Sequence, residues 1–430
     1  MQLKLANNYS QDISSHKNDK AVVLFLGLAL WVFIPILGIF PLIFFIHLNQ
    51  KSRSKLNVVV TLLVILTITI FVSSADIISD LAVYVDNYGN LATKNPFEIS
   101  GALGIECLLW LVSYPIYILS NGSNYAFVFF WSFLANALTF FVIAKGFSSR
   151  NYGLLLLFIV SNPIYIGFQG FLVRQYFANL IFLIAIINID RKPVMWGLYV
   201  LSLLAHLANL IYLPFLLLYD KVRLLKNKVV VVLMVALGVA LPFSSDLVVN
   251  LSERVAGLLP GDYSMLIVGK TAYYAREIVN ESSFIVPLIE HLLILIIIFV
   301  LVKNQNFKTA KERLIYFLYP IFYVLMYLGK DIDMFSNRVA FLLFPFGGLF
   351  YYFAIDHQWK IFKKPILVLI FTIKIMYFNY YLYDISLGKS EFHYLNDQIY
   401  NSTIIDYIEV AIDNFTEDVK IKEKPTRRLS

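Results

Sequence analysis

The chain has 430 residues, of which 59% are hydrophobic and only 15% charged, with a mean hydropathy of +0.73. Soluble domains carry about 45–50% apolar and about 25% charged residues, so this composition excludes a water-solvated globule and points to lipid as the solvent. The net charge of +7 reads as Lys and Arg gathered in cytoplasmic loops rather than as a nucleic-acid footprint. The single cysteine, Cys107, excludes an intrachain disulfide framework and a cysteine-based metal site.

Residues 1–20 form a polar N-terminal tail. The apolar run 21–46 is too long for the core of a signal peptide and predicts a retained membrane helix. A membrane helix needs roughly 20 apolar residues. Further helices are predicted at 57–75, 125–144, 152–168, 175–189, 229–243, 284–302, 314–329, 338–354 and 365–384. Two segments are less regular: 101–119 carries Glu106 and Pro115, and 194–219 is interrupted near His206 and Pro214. The expected fold is therefore all-α: a polytopic integral membrane protein of about eleven or twelve membrane-embedded segments. The membrane domain spans 21–384, with a long loop at 244–283, and 385–430 reads as a polar C-terminal tail.

Basic loops set the orientation. Lys51, Arg53 and Lys55, Lys145 and Arg150, Lys221 to Lys228, Lys303 to Arg313, and Lys360 to Lys364 all belong on the cytoplasmic side. Simple alternation of helices does not satisfy this. It is satisfied if 101–119 and 194–219 each make no net crossing, as re-entrant segments or hairpins of short helices. Irregular backbone at that depth is tolerated only where protein or a water-filled cavity surrounds it, so the charge pattern predicts a cavity near these two segments.

Ionisable groups within apolar stretches are costly, and each is a functional candidate. Arg174 opens the helix that follows Gly167–Phe168–Gln169–Gly170, a stretch that predicts an irregular entry. Its planar fork suits a phosphate or diphosphate; the alternative is a snorkelling anchor. Arg338 repeats that pattern. His206 is either a general base or a packing histidine. Glu106 is a base, a hydroxyl binder, or the partner of a buried arginine. Asp76, Asp80 and Asp86 crowd the first outer loop, as ligands for sugar hydroxyls or a divalent cation, or as a solvated face. Glu290 and Lys374 read as a structural ion pair, with His291 packing beside them.

The stretch 174–214, RQYFANLIFLIAIINIDRKPVMWGLYVLSLLAHLANLIYLP, resembles the EpsG-like branch of the Wzy polysaccharide polymerases. The shared features are an Arg-Gln pair opening a helix, a short basic turn, and an apolar segment ending in His. Glu106 in IECLLWLVSYPI, the acidic stretch Asp76–Tyr84, and Arg338 resemble further family positions. Cys107 stands where relatives often have Pro, and Leu207 where they often have a small hydroxyl residue.

The resemblance implies glycosyl transfer at the outer face of a bacterial inner membrane, by a multi-pass enzyme that joins undecaprenyl-diphosphate-linked oligosaccharide repeat units into O antigen, capsule or exopolysaccharide. It implies His206 and Glu106 as catalytic, Arg174 and Arg338 on the diphosphate, and Gln175, Asp76 and Asp80 on sugar. No cofactor, metal or nucleic acid is implied. Partners would be the lipid-linked glycan, the bilayer, and a chain-length regulator and flippase of the same pathway. Two alternatives remain open. A glycosyltransferase or ligase with another lipid-linked donor would rest more on Asp76 or Asp80. A lipid-glycan flippase would show two related halves with matching broken helices.

Overall fold

The computed structural model describes residues 19–49, 55–100, 106–146, 152–171, 173–227, 309–328, 363–389 and 393–422, with scattered positions between 230 and 349. Arg338, Glu290, His291 and most of the loop 244–283 lie outside the described residues, as do the bulk of the helices predicted at 229–243, 284–302 and 338–354. The chain divides into two units, residues 1–210 with 365–430, and residues 211–364.

Every described element is helical. The first unit runs through α1 (19–33), α2 (Pro35–Asn49), α3 (Lys55–Ser73), α4 (Ser79–Gly89), α5 (Pro96–Ile99), α6 (Leu108–Leu119), α7 (Asn124–Gly146), α8 (Tyr152–Val160), α9 (Pro163–Phe171), α10 (Val173–Ile187) and α11 (Lys192–Ala205). The second unit holds α12 (Leu213–Leu218) and α13 (Ala310–Leu328); α14 (Lys363–Ser386) and α15 (Ile404–Glu417) lead back to the first. Among the described residues, α3 and α7 are long and apolar enough to cross a membrane, and α2, α6, α10 and α11 are shorter apolar helices. Large apolar side chains face outward on these helices and on α1: Phe25 is 72% exposed, Val58 70% and Phe141 58%. Such a surface suits lipid and not water. The protein is an α-helical membrane protein.

Two predicted helices take a different form. The run 21–46 is broken at Ile34, and the chain doubles back. Gly27 lies against Leu42, and a Cβ on Gly38 would meet the Trp31 backbone at 2.4 Å. Pro35 starts the second arm, where its missing N–H costs nothing, and Gly38 permits the close approach. The run 152–168 is likewise split at Ser161–Asn162 by Pro163. Gly167–Gly170, expected to be irregular, is helical within α9. The reason is Gln169, whose amide exchanges hydrogen bonds with Asn136 of α7 (Nδ2 to Oε1 2.8 Å, Nε2 to Oδ1 3.1 Å). Tyr165 donates to the same Asn136 at 2.6 Å, and Thr139 of α7 bonds the Tyr176 hydroxyl of α10 at 2.8 Å. These neutral groups are buried and satisfied, so they fix the register of α9 and α10 on α7 without burying charge.

The interruption expected in 194–219 is present. Helix α11 ends at Ala205, and short helical turns continue through Leu207–Tyr212, Leu213–Leu218 and Tyr219–Lys226. The described part of segment 101–119 runs from Glu106 and Cys107 into the 12-residue α6. Lys374 is half-buried on α14. In the second unit, Tyr212 and Phe215 pack on Phe322, and Arg313 pairs with Asp220 at 2.9 Å.

The segment 385–430, read as a polar tail, holds α15 and a strap that caps a membrane helix. Asp418 accepts from the Ser123 hydroxyl (2.9 Å) and from the amides of Asn124 (3.2 Å) and Tyr125 (3.0 Å), so it occupies the N-terminus of α7. The backbone there is costly, since Asp418 has φ 55° and ψ 141°, a region that costs a side-chain-bearing residue about 1–3 kcal/mol. The cap and the favourable helix-dipole interaction offset that cost. Asp418→Ala keeps the strain and loses the cap. It is expected to destabilise the protein by about 1–2 kcal/mol, seen as a lower melting temperature in detergent, and an unchanged melting temperature would show that the cap contributes nothing.

Candidate functional site

Three of the residues singled out from sequence meet at one carboxylate. Glu106 lies in the two-residue lead into α6, Arg174 in the first turn of α10, and His206 just beyond the end of α11. Arg174 Nη1 donates to Glu106 Oε2 at 2.7 Å. Glu106 Oε1 lies 2.6 Å from His206 Nδ1 and accepts from the Leu207 amide at 2.7 Å. The side chains are 27%, 17% and 19% exposed for Arg174, Glu106 and His206, so the cluster is sheltered but reachable.

Each contact has a local cause. A cation in the first turn of a helix opposes the helix dipole, and the Glu106 carboxylate compensates Arg174 there. Helix α11 ends where the Leu207 amide turns from the helix ladder to Glu106, and His206 takes an extended conformation (φ −159°, ψ 120°). A carboxylate held by Arg174 is ionised, so the His206 ring donates to it through Nδ1–H. The neutral imidazole then carries its lone pair on Nε2, on the far side of the ring from Glu106.

Asp80 and Tyr84, both on α4, lie beside Arg174. The Arg174 guanidinium sits 5.8 Å from the centre of the Tyr84 ring, and the Asp80 charge acts on it. Arg174 Nε is buried with no hydrogen-bond partner. Gln175 is buried at 2% exposure, and its side-chain carbonyl has no partner. Asp76, by contrast, is bound to Lys422 Nζ at 2.7 Å, and Asp86 is exposed. Among the described residues no three His, Cys, Asp or Glu side chains come together as a metal ion would require.

Two features of the site went unread in the sequence. Asn209 is fully buried, yet neither its amide nitrogen nor its oxygen has a partner. The Tyr199 hydroxyl holds its backbone carbonyl at 3.2 Å. A polar residue three positions after His206 in an apolar run was a readable signal. The Leu207 amide had none, because its role depends on a carboxylate 101 residues away in sequence.

The fold and site define a helical membrane protein with a sheltered Arg–Glu–His cluster built from three separate helices. The profile of the EpsG family matches residues 58–399, and the chain belongs to that family. No curated protein and no solved structure matches it.

Removal of Glu106 leaves the Arg174 charge partly buried and unpaired. Glu106→Ala is expected to lower stability by on the order of 1–3 kcal/mol. Adding Arg174→Met to Glu106→Ala should recover part of that loss, with a coupling of about 0.5–3 kcal/mol in a double-mutant cycle read by thermal melting. Additive losses would contradict the pairing.

Proposed function

We propose that the protein is a polysaccharide polymerase that transfers a growing glycan from undecaprenyl diphosphate to the sugar of a new lipid-linked repeat unit, at the outer face of a bacterial inner membrane. Family membership supports the polymerase role. The observation that carries the chemistry is Glu106, which bridges Arg174 and His206 at 2.7 Å and 2.6 Å.

In this reading the acceptor hydroxyl oxygen attacks the anomeric carbon of the donor as the bond from that carbon to the diphosphate oxygen breaks, with inversion. His206 Nε2 takes the hydroxyl proton. Glu106 holds the ring in the tautomer that leaves Nε2 basic, and stabilises the imidazolium that forms. This is the orienting role an acid plays behind a histidine in other sites. Glu106 is thereby a positioning carboxylate rather than the base. Arg174 meets the charge that develops on the departing lipid diphosphate. Gln175 and Asn209 are candidates for sugar hydroxyls, because a buried amide without a partner favours a ligand that supplies one; Asp80, half-buried and acting on Arg174, is a third candidate. Asp76, engaged with Lys422, is a weaker candidate. Arg338 is proposed as a second cation for the diphosphate on the strength of the sequence alone. A chain-length regulator and a flippase of the same pathway are proposed partners.

Loss of a donor to developing charge typically costs about 10²–10³ in rate. Arg174→Ala is expected to reach the membrane at normal level yet abolish long-chain glycan, leaving single-repeat product. Arg174→Lys keeps the charge and loses the planar fork, and should be impaired too. The measurement is a chain-length ladder on a gel beside the membrane protein level. A full ladder from Arg174→Lys with a near-normal one from Arg174→Ala would remove Arg174 from the reaction.

A further inference from the structure

Helix α15 has three faces. Tyr407, fully buried, and the neighbouring half-buried Val410, Ala411 and Asn414 turn toward the protein. On one flank lie Ile405, Ile408, Ile412 and Phe415, exposed at 63%, 48%, 58% and 49%. On the opposite flank lie Asp406, Glu409, Asp413 and Glu417. At about 100° per residue each set occupies roughly one third of the helix circumference. A helix with an apolar flank open beside a fully acidic one is arranged for a boundary between two solvents.

Its seat fixes its depth. Helix α3 ends at Ser73 and α7 begins at Asn124; the Ser73 and Tyr125 hydroxyls, 3.1 Å apart, put these two ends at one level. Tyr407 near the start of α15 lies against Phe71, with ring centres 6.3 Å apart. Phe415 near its end packs edge-on against Tyr125 at 4.5 Å and against Phe129 at 5.3 Å. At about 1.5 Å per residue these contacts fall within roughly 3–8 Å of the ends of the two membrane-spanning helices. Both ends of α15 therefore sit at one shallow depth, and the helix lies across the ends of α3 and α7, close to the membrane plane. The strap beyond it is held on that same side, by Asp418 at the α7 N-terminus and by the Lys422 amide on the Ile77 carbonyl (3.3 Å).

We infer that α15 is an interfacial helix, with Ile405, Ile408, Ile412 and Phe415 embedded in the lipid headgroup–acyl boundary and Glu409 and Asp413 in water. The occupant of the apolar flank is the bilayer, because the flank is continuous at Phe415 with the first turns of a membrane-spanning helix. The apolar residues supply the binding, since the acidic flank has no attraction for anionic headgroups. The Asp406 carboxyl, held below its ordinary value by the Thr403 amide and hydroxyl, keeps its charge in that setting.

The test uses the full chain in vesicles of phosphatidylethanolamine and phosphatidylglycerol, with spin labels on Ile408→Cys, Glu409→Cys, Ile412→Cys and Asp413→Cys introduced one at a time. The unsubstituted chain, whose Cys107 is buried, gives the background. Labels at 408 and 412 are expected to collide more with oxygen than with a water-soluble nickel chelate, and labels at 409 and 413 to show the reverse. Nickel access at 412 equal to that at 413 would overturn the inference. So would a label at 412 shielded from both reagents, which would mean a second copy of the chain covers the flank. Ile412→Trp, quenched by brominated lipid if the inference holds and unquenched if it fails, checks the same position without a label.

Discussion

The arrangement depends on one carboxylate. Glu106 receives the Arg174 guanidinium on one oxygen, and the His206 ring and the Leu207 amide on the other. Without it, a cation at the head of α10 would oppose the helix dipole in a sheltered setting, α11 would lack its reason to stop at Ala205, and the imidazole would have no fixed tautomer. In a medium of low effective dielectric these charge-assisted bonds are strong. One acid thus ties three helices into one geometry and sets the charge balance of the cluster.

The surrounding scaffold keeps that geometry with few charges. Asn136, Gln169, Tyr165, Thr139 and Tyr176 register α9 and α10 on α7 through neutral hydrogen bonds. Tyr84 and Asp80 bring α4 to Arg174. Asp418 caps α7 from the far end of the chain. In a protein whose interior and lipid-facing surface are both apolar, polar groups carry the specificity of helix packing. Gln175 and Asn209 are buried with side-chain polar atoms that have no partner within the protein.

Much of this was legible in the sequence, for a physical reason. Charge inside an apolar run is expensive enough that Glu106, Arg174 and His206 stood out singly, and a buried arginine as the partner of Glu106 was among the readings its position allowed. The long uninterrupted helices at 57–75 and 125–144 were legible because length and apolarity suffice to define them. The hairpin at Ile34 was not, since Pro35 also suits the interior bend of a long membrane helix, and only the approach of Gly38 to Trp31 decides. Nor was Gln169, whose glycine-flanked position suggested a loop until Asn136 supplied a partner. The cap on α7 was hidden for the same reason: Asp418 sits about 290 residues from the amides it binds, and no local pattern records that.

The central claim is that this cluster makes glycosidic bonds from a lipid diphosphate donor. It is tested most directly with the purified full chain in proteoliposomes, supplied only with a lipid-diphosphate-linked oligosaccharide repeat. The account predicts glycans lengthened by whole repeats, with one lipid diphosphate released per bond formed and neither nucleotide sugar nor another enzyme required. Movement of the intact lipid-linked repeat across the bilayer without any lengthening would contradict it.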